Sequence, residues 1–265
     1  PGLGEYHRTG YNEKDIVDYG TENLKANIAL HHKFKDNSQF VMSSSFGTGT
    51  TVYQGDNRYS LKNILFFQNK IEYKSDKGFI RAYATHENAG DSYDAVFTAL
   101  LMQNAVKDDD QWAKDYTNYW NKHFKDRVQA LPRFPTSQIL IGPNGPYLFY
   151  DYDLADDIMA EYSDSISTWH AETRLAADSA VSGLIFYDGN ENRYTPGTAA
   201  YDSAFNSIVS KTAFTEGGSK FYDKSALYHI HGERQFSLDT IKYFKLGIRA
   251  GGNYRMYTPM SRGTL

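Results

Sequence analysis

The sequence predicts an antiparallel β-barrel wall interrupted by a large helical insert, and three observations carry that reading. Residues 23 to about 88 and 225 to about 258 alternate polar and apolar side chains with period two, whereas residues 92 to about 214 read mostly as helices and loops. Aromatic residues are abundant (Tyr 22, Phe 16, Trp 3), yet the mean hydropathy is −0.61. A polar chain this rich in Tyr and Phe is what two-faced strands produce. The connections alternate between short turns and longer loops, as in outer-membrane barrels.

The first strand runs from Asn23 to Phe34. It sets Leu24, Ala26, Ile28, Leu30, His32 and Phe34 against Lys25, Asn27, Ala29, His31 and Lys33. After the turn KDNS (Lys35 to Ser38), a second strand begins at Phe40, with Met42 and Phe46 on its apolar side. Gln54 to Lys62 reads as a polar loop. A third strand, about Asn63 to Lys74, places Leu65, Phe67, Ile71 and Tyr73 opposite Gln68, Lys70 and Glu72. SDKG (Ser75 to Gly78) is a hairpin turn by composition. The fourth strand, Phe79 to about Glu87, sets Ile80, Ala82 and Ala84 against Arg81, Tyr83, Thr85 and Glu87. Alternation returns at Ala226, Tyr228 and Ile230 against His229, His231 and Glu233, and at Leu246, Ile248 and Ala250 against Arg249, Asn253 and Arg255. About six strands result. Phe34, Phe40, Tyr73, Phe79, Phe236, Tyr243 and Phe244 lie beside the short turns and read as one interfacial girdle, with Tyr254 and Tyr257 at the opposite end.

The insert predicts three helical stretches. Tyr93, Val96, Phe97, Leu100 and Leu101, continued by Trp112, Tyr116, Tyr119, Trp120 and Phe124, form one face, stopped by Pro132 and Pro135. Leu154 to about Ala177 is helical again. Thr195-Pro196 signals a third helix, with Tyr201, Phe205, Ile208 and Val209 inward. The expected division is barrel strands over 1–90, an extracellular helical insert over 91–224 and barrel strands over 225–265.

Composition excludes several function classes. With no cysteine, a disulfide scaffold, a Cys-ligated zinc site and a thiol enzyme are ruled out. A formal charge of −4 gives no excess of cations to displace counterions, which argues against broad nucleic-acid binding. The longest apolar runs, such as Ile64 to Phe67, are far short of a membrane-spanning helix. The start, PGLGEYHRTG, has no basic region followed by an apolar core, so no signal peptide is expected in it. Neither point bears on a barrel, whose strands are short and alternate in polarity. No GxSxG, HExxH or phosphate-binding loop is present, and the chain is expected not to be an enzyme.

Several long stretches resemble the TonB-dependent outer-membrane receptors of Bacteroidetes-type bacteria. They are RTGYNEKDIVDYGTENLKANIALHHKF (Arg8 to Phe34), FGTGTTVYQGDNRYSLKNILFFQNKIEY (Phe46 to Tyr73), FIRAYATHENAGDSYDAVFTALLMQ (Phe79 to Gln103), FYDKSALYHIHGERQF (Phe221 to Phe236) and GGNYRMYTPMSRGTL (Gly251 to Leu265). The resemblance covers well over half of the chain. It implies an all-β fold, an antiparallel transmembrane barrel of roughly 22 strands closed by a plug, of which this chain is the middle portion. About six strands are also fewer than the roughly 8 of the smallest such barrels. The implied function is nutrient uptake across the bacterial outer membrane. The implied partners are the TonB complex, through a plug not present in this sequence, outer-membrane lipid and a small solute, with a surface lipoprotein as a further candidate. Siderophore, glycan, peptide and cobalamin all stay open as solutes. No cofactor is implied. The alternative is a soluble or cell-surface module that grips carbohydrate or peptide.

Candidate site residues fall into two groups. Lys25, Arg81, His229, His231, Glu233, Arg249, Asn253 and Arg255 alternate toward the polar side of predicted strands and read as lumen-lining. Two interpretations compete: a positive strip that guides an anionic or hydroxyl-rich solute, or charges paired locally with Glu72, Glu87 and Glu233. His229-Ile230-His231 is a strand HxH pattern, but zinc or copper needs a third ligand and none stands nearby, so no metal is expected. Trp112, Tyr116, Tyr119, Trp120 and Trp169 either contact a solute or pack the core of the insert. The acidic clusters Asp108 to Asp110 and Asp151, Asp153, Asp156 and Asp157 read as solvated loops or helix N-terminal acids, with calcium as the lesser reading.

Overall fold

The computed structural model describes residues 2–179, 193–212, 216–241 and 244–262. In chain order its elements begin with α1 (Glu13–Ile16), β1 (Glu22–Lys33), β2 (Gln39–Gln54), β3 (Arg58–Ser75), β4 (Gly78–Asn88) and β5 (Tyr93–Asp94). There follow α2 (Ala95–Val106), α3 (Asp109–His123), α4 (Lys125–Gln129), β6 (Gln138–Gly142), β7 (Gly145–Phe149), α5 (Tyr152–Glu161), α6 (Ser163–Asp178) and α7 (Ala199–Ser210). The chain ends with β8 (Tyr222–Asp223), β9 (Ala226–Ile241), β10 (Phe244–Thr258) and β11 (Ser261–Arg262). Two compact units form, residues 12–101 with 202–265 and residues 1–11 with 102–201.

The first unit is built on an antiparallel sheet of order β1-β2-β3-β4-β9-β10, with β5 added beside β3. The six expected strands are all present. No closed barrel is seen among the described residues: β1 and β10 are the edges of an open sheet. Cross-strand register fixes which side chains share a face. Ile28, Ser44, Asn69, Ala84, Tyr228 and Met256 form one row, and Leu30, Met42, Ile71, Ala82, Ile230 and Tyr254 form the next. That face is apolar and uncovered: Ile28 is 68% exposed, Leu30 67% and Ile71 48%. Ser44, Asn69 and Ala84 floor a shallow depression ringed by Ile28, Leu30, Met42, Ile71 and Ile230. The opposite face carries the polar half of each strand.

Turn geometry corrects the girdle. In the β3–β4 turn Ser75 pairs with Gly78, so Tyr73 pairs with Ile80 and Lys74 with Phe79. Phe34, Phe40, Tyr73 and Phe236 therefore share the apolar face, but Phe79 lies on the polar one, edge-on to His231 at 5.4 Å. Tyr257 is likewise on the polar face, one residue out of phase with Tyr254. Tyr243 and the Phe244 side chain lie outside the described residues. Gly78 adopts φ +148, and a Cβ there would collide with the Glu233 backbone, so the turn needs glycine.

The expected loop over Gln54 to Lys62 is mostly strand. β2 and β3 continue to Gln54 and Arg58, Tyr53 stacks on Tyr59 (6.2 Å, 17°), and Gly55 N donates to Asn57 O at 2.9 Å. A bulge between Gly49 and Thr51 lets the pairing resume beyond it; Asn63, at φ 54, donates its backbone N–H to Thr50 Oγ1. This end of the sheet has its own core. Tyr93 Oη donates to Ile16 O at 2.7 Å, and Thr98 Oγ1 and Ser219 Oγ, both buried, lie 2.7 Å apart. Asp94 caps α2, accepting from Phe97 N at 2.9 Å and from Asn57 Nδ2 at 2.8 Å.

The second unit packs α3 against α6, with the 2–11 segment laid on the pair. The continuous helix expected from Tyr93 to Phe124 is broken at Asp108, whose carboxylate accepts from Gln111 N at 2.8 Å and starts α3. Asp151 starts α5 in the same way through Leu154 N. Asp108 to Asp110 thus sit at the N-terminus of α3 and Asp151 and Asp153 at that of α5, with Asp156 and Asp157 further along α5. α5 and α6 divide the stretch 154–177 at Tyr162. α7 begins at Ala199 rather than after Thr195: the cap is Thr198, whose Oγ1 accepts from Tyr201 N at 3.3 Å. Tyr201 and Ile208 are buried and Phe205 and Val209 partly so, as the pattern predicts. The β6–β7 hairpin is unforeseen, because its prolines and glycines mark the stretch as a loop. Its Ile139, Ile141 and Leu148 are strongly exposed.

The domain boundaries also shift. Residues 2–11 join the helical unit, where Tyr6 stacks on Tyr116 (4.3 Å, 7°). Residues 91–101 and 202–224 join the sheet unit, where Tyr93 pairs with Ser60 and Phe221 N donates to Ser92 O.

Candidate functional site

Period-two alternation on β1, β4, β9 and β10 brings Lys25, Arg81, His229, His231, Glu233, Arg249, Asn253 and Arg255 to one face of the sheet. They do not form one cluster. Lys25 stands opposite Gly47, in the row of Phe66 and Glu87, away from the rest. Arg249 reaches Glu233 at 3.4 Å. Arg81 donates to Glu72 at 2.6 Å, and Lys70 lies 3.7 Å from the same carboxylate. Local pairing with Glu72 and Glu233 thus neutralises part of the expected positive strip. Arg255 and Lys25 have no ion-pair partner among the described residues.

The remaining members converge in two adjacent rows. Lys70, Tyr83, His229 and Arg255 form one; Glu72, Arg81, His231 and Asn253 form the other. The two imidazoles stack, with centroids 4.7 Å apart at 25°. His229 is buried, and its Nδ1 lies 2.7 Å from Tyr83 Oη. Tyr83 belongs to this group although composition alone did not single it out. Its signal is the alternation with Ala82 and Ala84. Among the described residues no group of three or more His, Cys, Asp or Glu side chains is placed to hold a metal ion.

For the helical unit, burial decides between the two readings of its aromatic residues. Trp112, Tyr116, Tyr119 and Trp120 are at most 4% exposed, and Trp169 packs against the same cluster. The four buried rings are core and present no open face to a solute, whereas Trp169 is partly buried. Trp120 stacks on His170 (4.1 Å, 15°) and Phe124 on Trp169 (5.6 Å, 13°). Their polar atoms are satisfied internally. Trp112 Nε1 donates to Asp178 at 2.9 Å and Tyr119 Oη to Glu172 at 2.9 Å. Among the described residues the exposed aromatic side chains of this unit are instead Tyr147, Phe149 and Tyr152.

His170 sits inside that core as a neutral ring. The Gly2 carbonyl, 3.0 Å from Nε2, can only accept, so Nε2 carries the proton and Nδ1 accepts from Tyr116 Oη at 2.7 Å. Burial, the largest cause, holds its pKa below 6.5 against the upward pull of the Gly2 carbonyl, with a lesser downward push from the Arg174 charge. Burial pushes the Tyr116 hydroxyl up to about 12. The unfolded chain therefore protonates His170 first on acidification and ionises Tyr116 first on alkalinisation. Stability from His170 is complete above 6.5 and lost as pH falls through its folded value. Stability from Tyr116 is complete below 10.0 and lost as pH rises toward about 12. Denaturation midpoints read by Trp fluorescence are expected to fall on acidification from neutral pH. The slope is expected to shrink in His170→Gln, and an unchanged slope in that variant would remove His170 from this role.

No family model matches the chain, and it matches neither a curated protein nor a solved structure.

Proposed function

We propose that the chain is part of the barrel wall of a TonB-dependent outer-membrane receptor that takes up a small solute. The observation that supports this most is the two-faced sheet. Six antiparallel strands place an unbroken sequence of rows with an exposed apolar face against a polar face. Monomeric proteins in water rarely leave contiguous apolar patches above a few hundred Å² uncovered, and lipid is the cover that needs no further protein. Strands of 11 to 18 residues are long for a globular sheet and sufficient to cross a bilayer when tilted. Phe34, Phe40 and Tyr73 at the short-turn end suit an interfacial belt. The polar face then lines the solute path, and the helical unit belongs outside the membrane.

The complete reading frame, expressed and fractionated, is expected to yield a protein extracted only by detergent. Its electrophoretic migration should change on boiling, as folded outer-membrane barrels do. A monomer soluble in water without detergent would overturn the reading in favour of a binding module.

A further inference from the structure

We propose that Arg255, His229 and His231 form a subsite for an oxyanion, a carboxylate or phosphate group carried by the solute. This deepens the transport reading and rests on it for the solute's presence at this face. The geometry of the subsite stands on the sheet itself.

His229 is only 7% exposed, and its Nε2 and the Nδ1 of His231 are both shielded and without a hydrogen-bond partner among the described residues. Buried polar atoms of side chains are ordinarily satisfied. The subsite requires the tautomer in which Tyr83 Oη donates to Nδ1 of His229, which leaves the Nε2–H of that ring as a donor. Tyr83 is thereby a positioning residue, holding the ring in place. The register sets Arg255 directly opposite His229 and Asn253 opposite His231, all on the same face.

Charge selects the class of ligand. The two rows hold Lys70, Arg81 and Arg255 against the single carboxylate of Glu72, which Arg81 and Lys70 already engage. Arg255 has no ion-pair partner among the described residues. A metal ion would meet these positive groups with no third ligand converging on the imidazoles among the described residues. An oxyanion meets a guanidinium fork and imidazole N–H donors, and charge-assisted bonds of that kind are the strong ones.

The test uses the complete protein, with inorganic phosphate and citrate as separate probes in titration calorimetry. The variants are Arg255→Gln, His229→Gln and Lys33→Gln, the last being a cation of the same face on β1. At least one probe is expected to bind. Arg255→Gln should weaken it by about tenfold or more, the loss of one charge-assisted contact, with His229→Gln weakening it less and Lys33→Gln leaving it unchanged. Phosphate binding alone or citrate binding alone identifies which oxyanion the subsite prefers, and either supports it. Absence of binding by both probes overturns the proposal. So does equal weakening by Arg255→Gln and Lys33→Gln, which would show a diffuse positive surface. Binding of Zn²⁺ that is lost in His229→Gln, without oxyanion binding, overturns it in favour of a metal site. Heat-modifiable migration of the same samples separates the two readings: a detergent-dependent protein that binds neither probe loses the subsite alone, and a water-soluble one loses the transport reading.

Discussion

Ile71→Arg is expected to destabilise the complete protein by about 1–2 kcal/mol in a lipid bilayer if its apolar face meets lipid, between the cost of a charge at the midplane and at the interface of a barrel's outer face. Ile71 sits on β3 four residues before its end at Ser75, between Met42 and Ala82, and is already 48% exposed. That exposure makes the substitution decisive. A half-exposed side chain facing water tolerates a charged replacement to within about 0.5 kcal/mol, whereas the same position facing hydrocarbon does not. Urea denaturation of the reconstituted protein, followed by its heat-modifiable migration, measures the difference. Lys70→Arg, one residue along and on the opposite face, keeps its charge toward Glu72 and is the matched control. If Ile71→Arg and Lys70→Arg unfold at the same urea concentration, the apolar face is not lipid-covered.

Lys107→Met should cost the helical unit about 3–5 kcal/mol, the usual penalty for leaving one partner of a buried ion pair uncompensated. Lys107 Nζ donates to Asp115 at 2.6 Å and to Ala177 O at 2.9 Å, and its side chain and that of Asp115 are 4% and 6% exposed. The contacts tie the break between α2 and α3 to the C-terminal turn of α6. Removing the cation takes from Asp115 its hydrogen-bonded ammonium partner at 2.6 Å, while Gln111 still donates to the other carboxylate oxygen. All three tryptophans lie in this unit, at 112, 120 and 169, so intrinsic fluorescence follows its unfolding directly. The paired replacement Lys107→Met with Asp115→Leu should recover much of the loss, because apolar groups of similar size often substitute for a buried pair at little cost. A single variant within 1 kcal/mol of the parent (about a fivefold change in the folding equilibrium) would show that the pair is not structurally required.

The strands were legible because one face must be apolar and the other polar, and a one-residue slip would invert both. That constraint fixed the faces of β1, β3, β4, β9 and β10 from side-chain type alone, and with them the common face of all eight candidate lumen residues. It did not reveal the end of β2 or the start of β3. There Thr, Gly and Tyr alternate without an apolar side, and only tyrosine stacking and a bulge extend the pairing. Phe79 was misplaced because proximity to a turn does not determine facing; register does. In the insert, helical periodicity ran through Lys107 and Asp108 without a visible break, since the stop is made by a side-chain cap and a tertiary ion pair. The aromatic spacing on α3 was visible, but whether Trp112, Tyr116 and Trp120 meet solvent depends on α6 and on residues 2–11, and periodicity on one helix carries no information about its partners. The histidine pair was visible as HxH. Its coupling to Tyr83 and Arg255 required the pairing of β9 with both β4 and β10.

That pairing also determines what can happen to the insert over evolutionary time. β4 ends at Asn88 and β9 begins at Ala226, and His86 is the direct partner of Ala226. The chain thus departs and returns through neighbouring strands, whose spacing is about 5 Å. A turn of about two residues spans that distance, and lengthening the connection costs only a logarithmically growing closure entropy. The length of the intervening segment is therefore weakly constrained by closure of its ends, apart from residues 91–101 and 202–224, which pair and pack with the sheet.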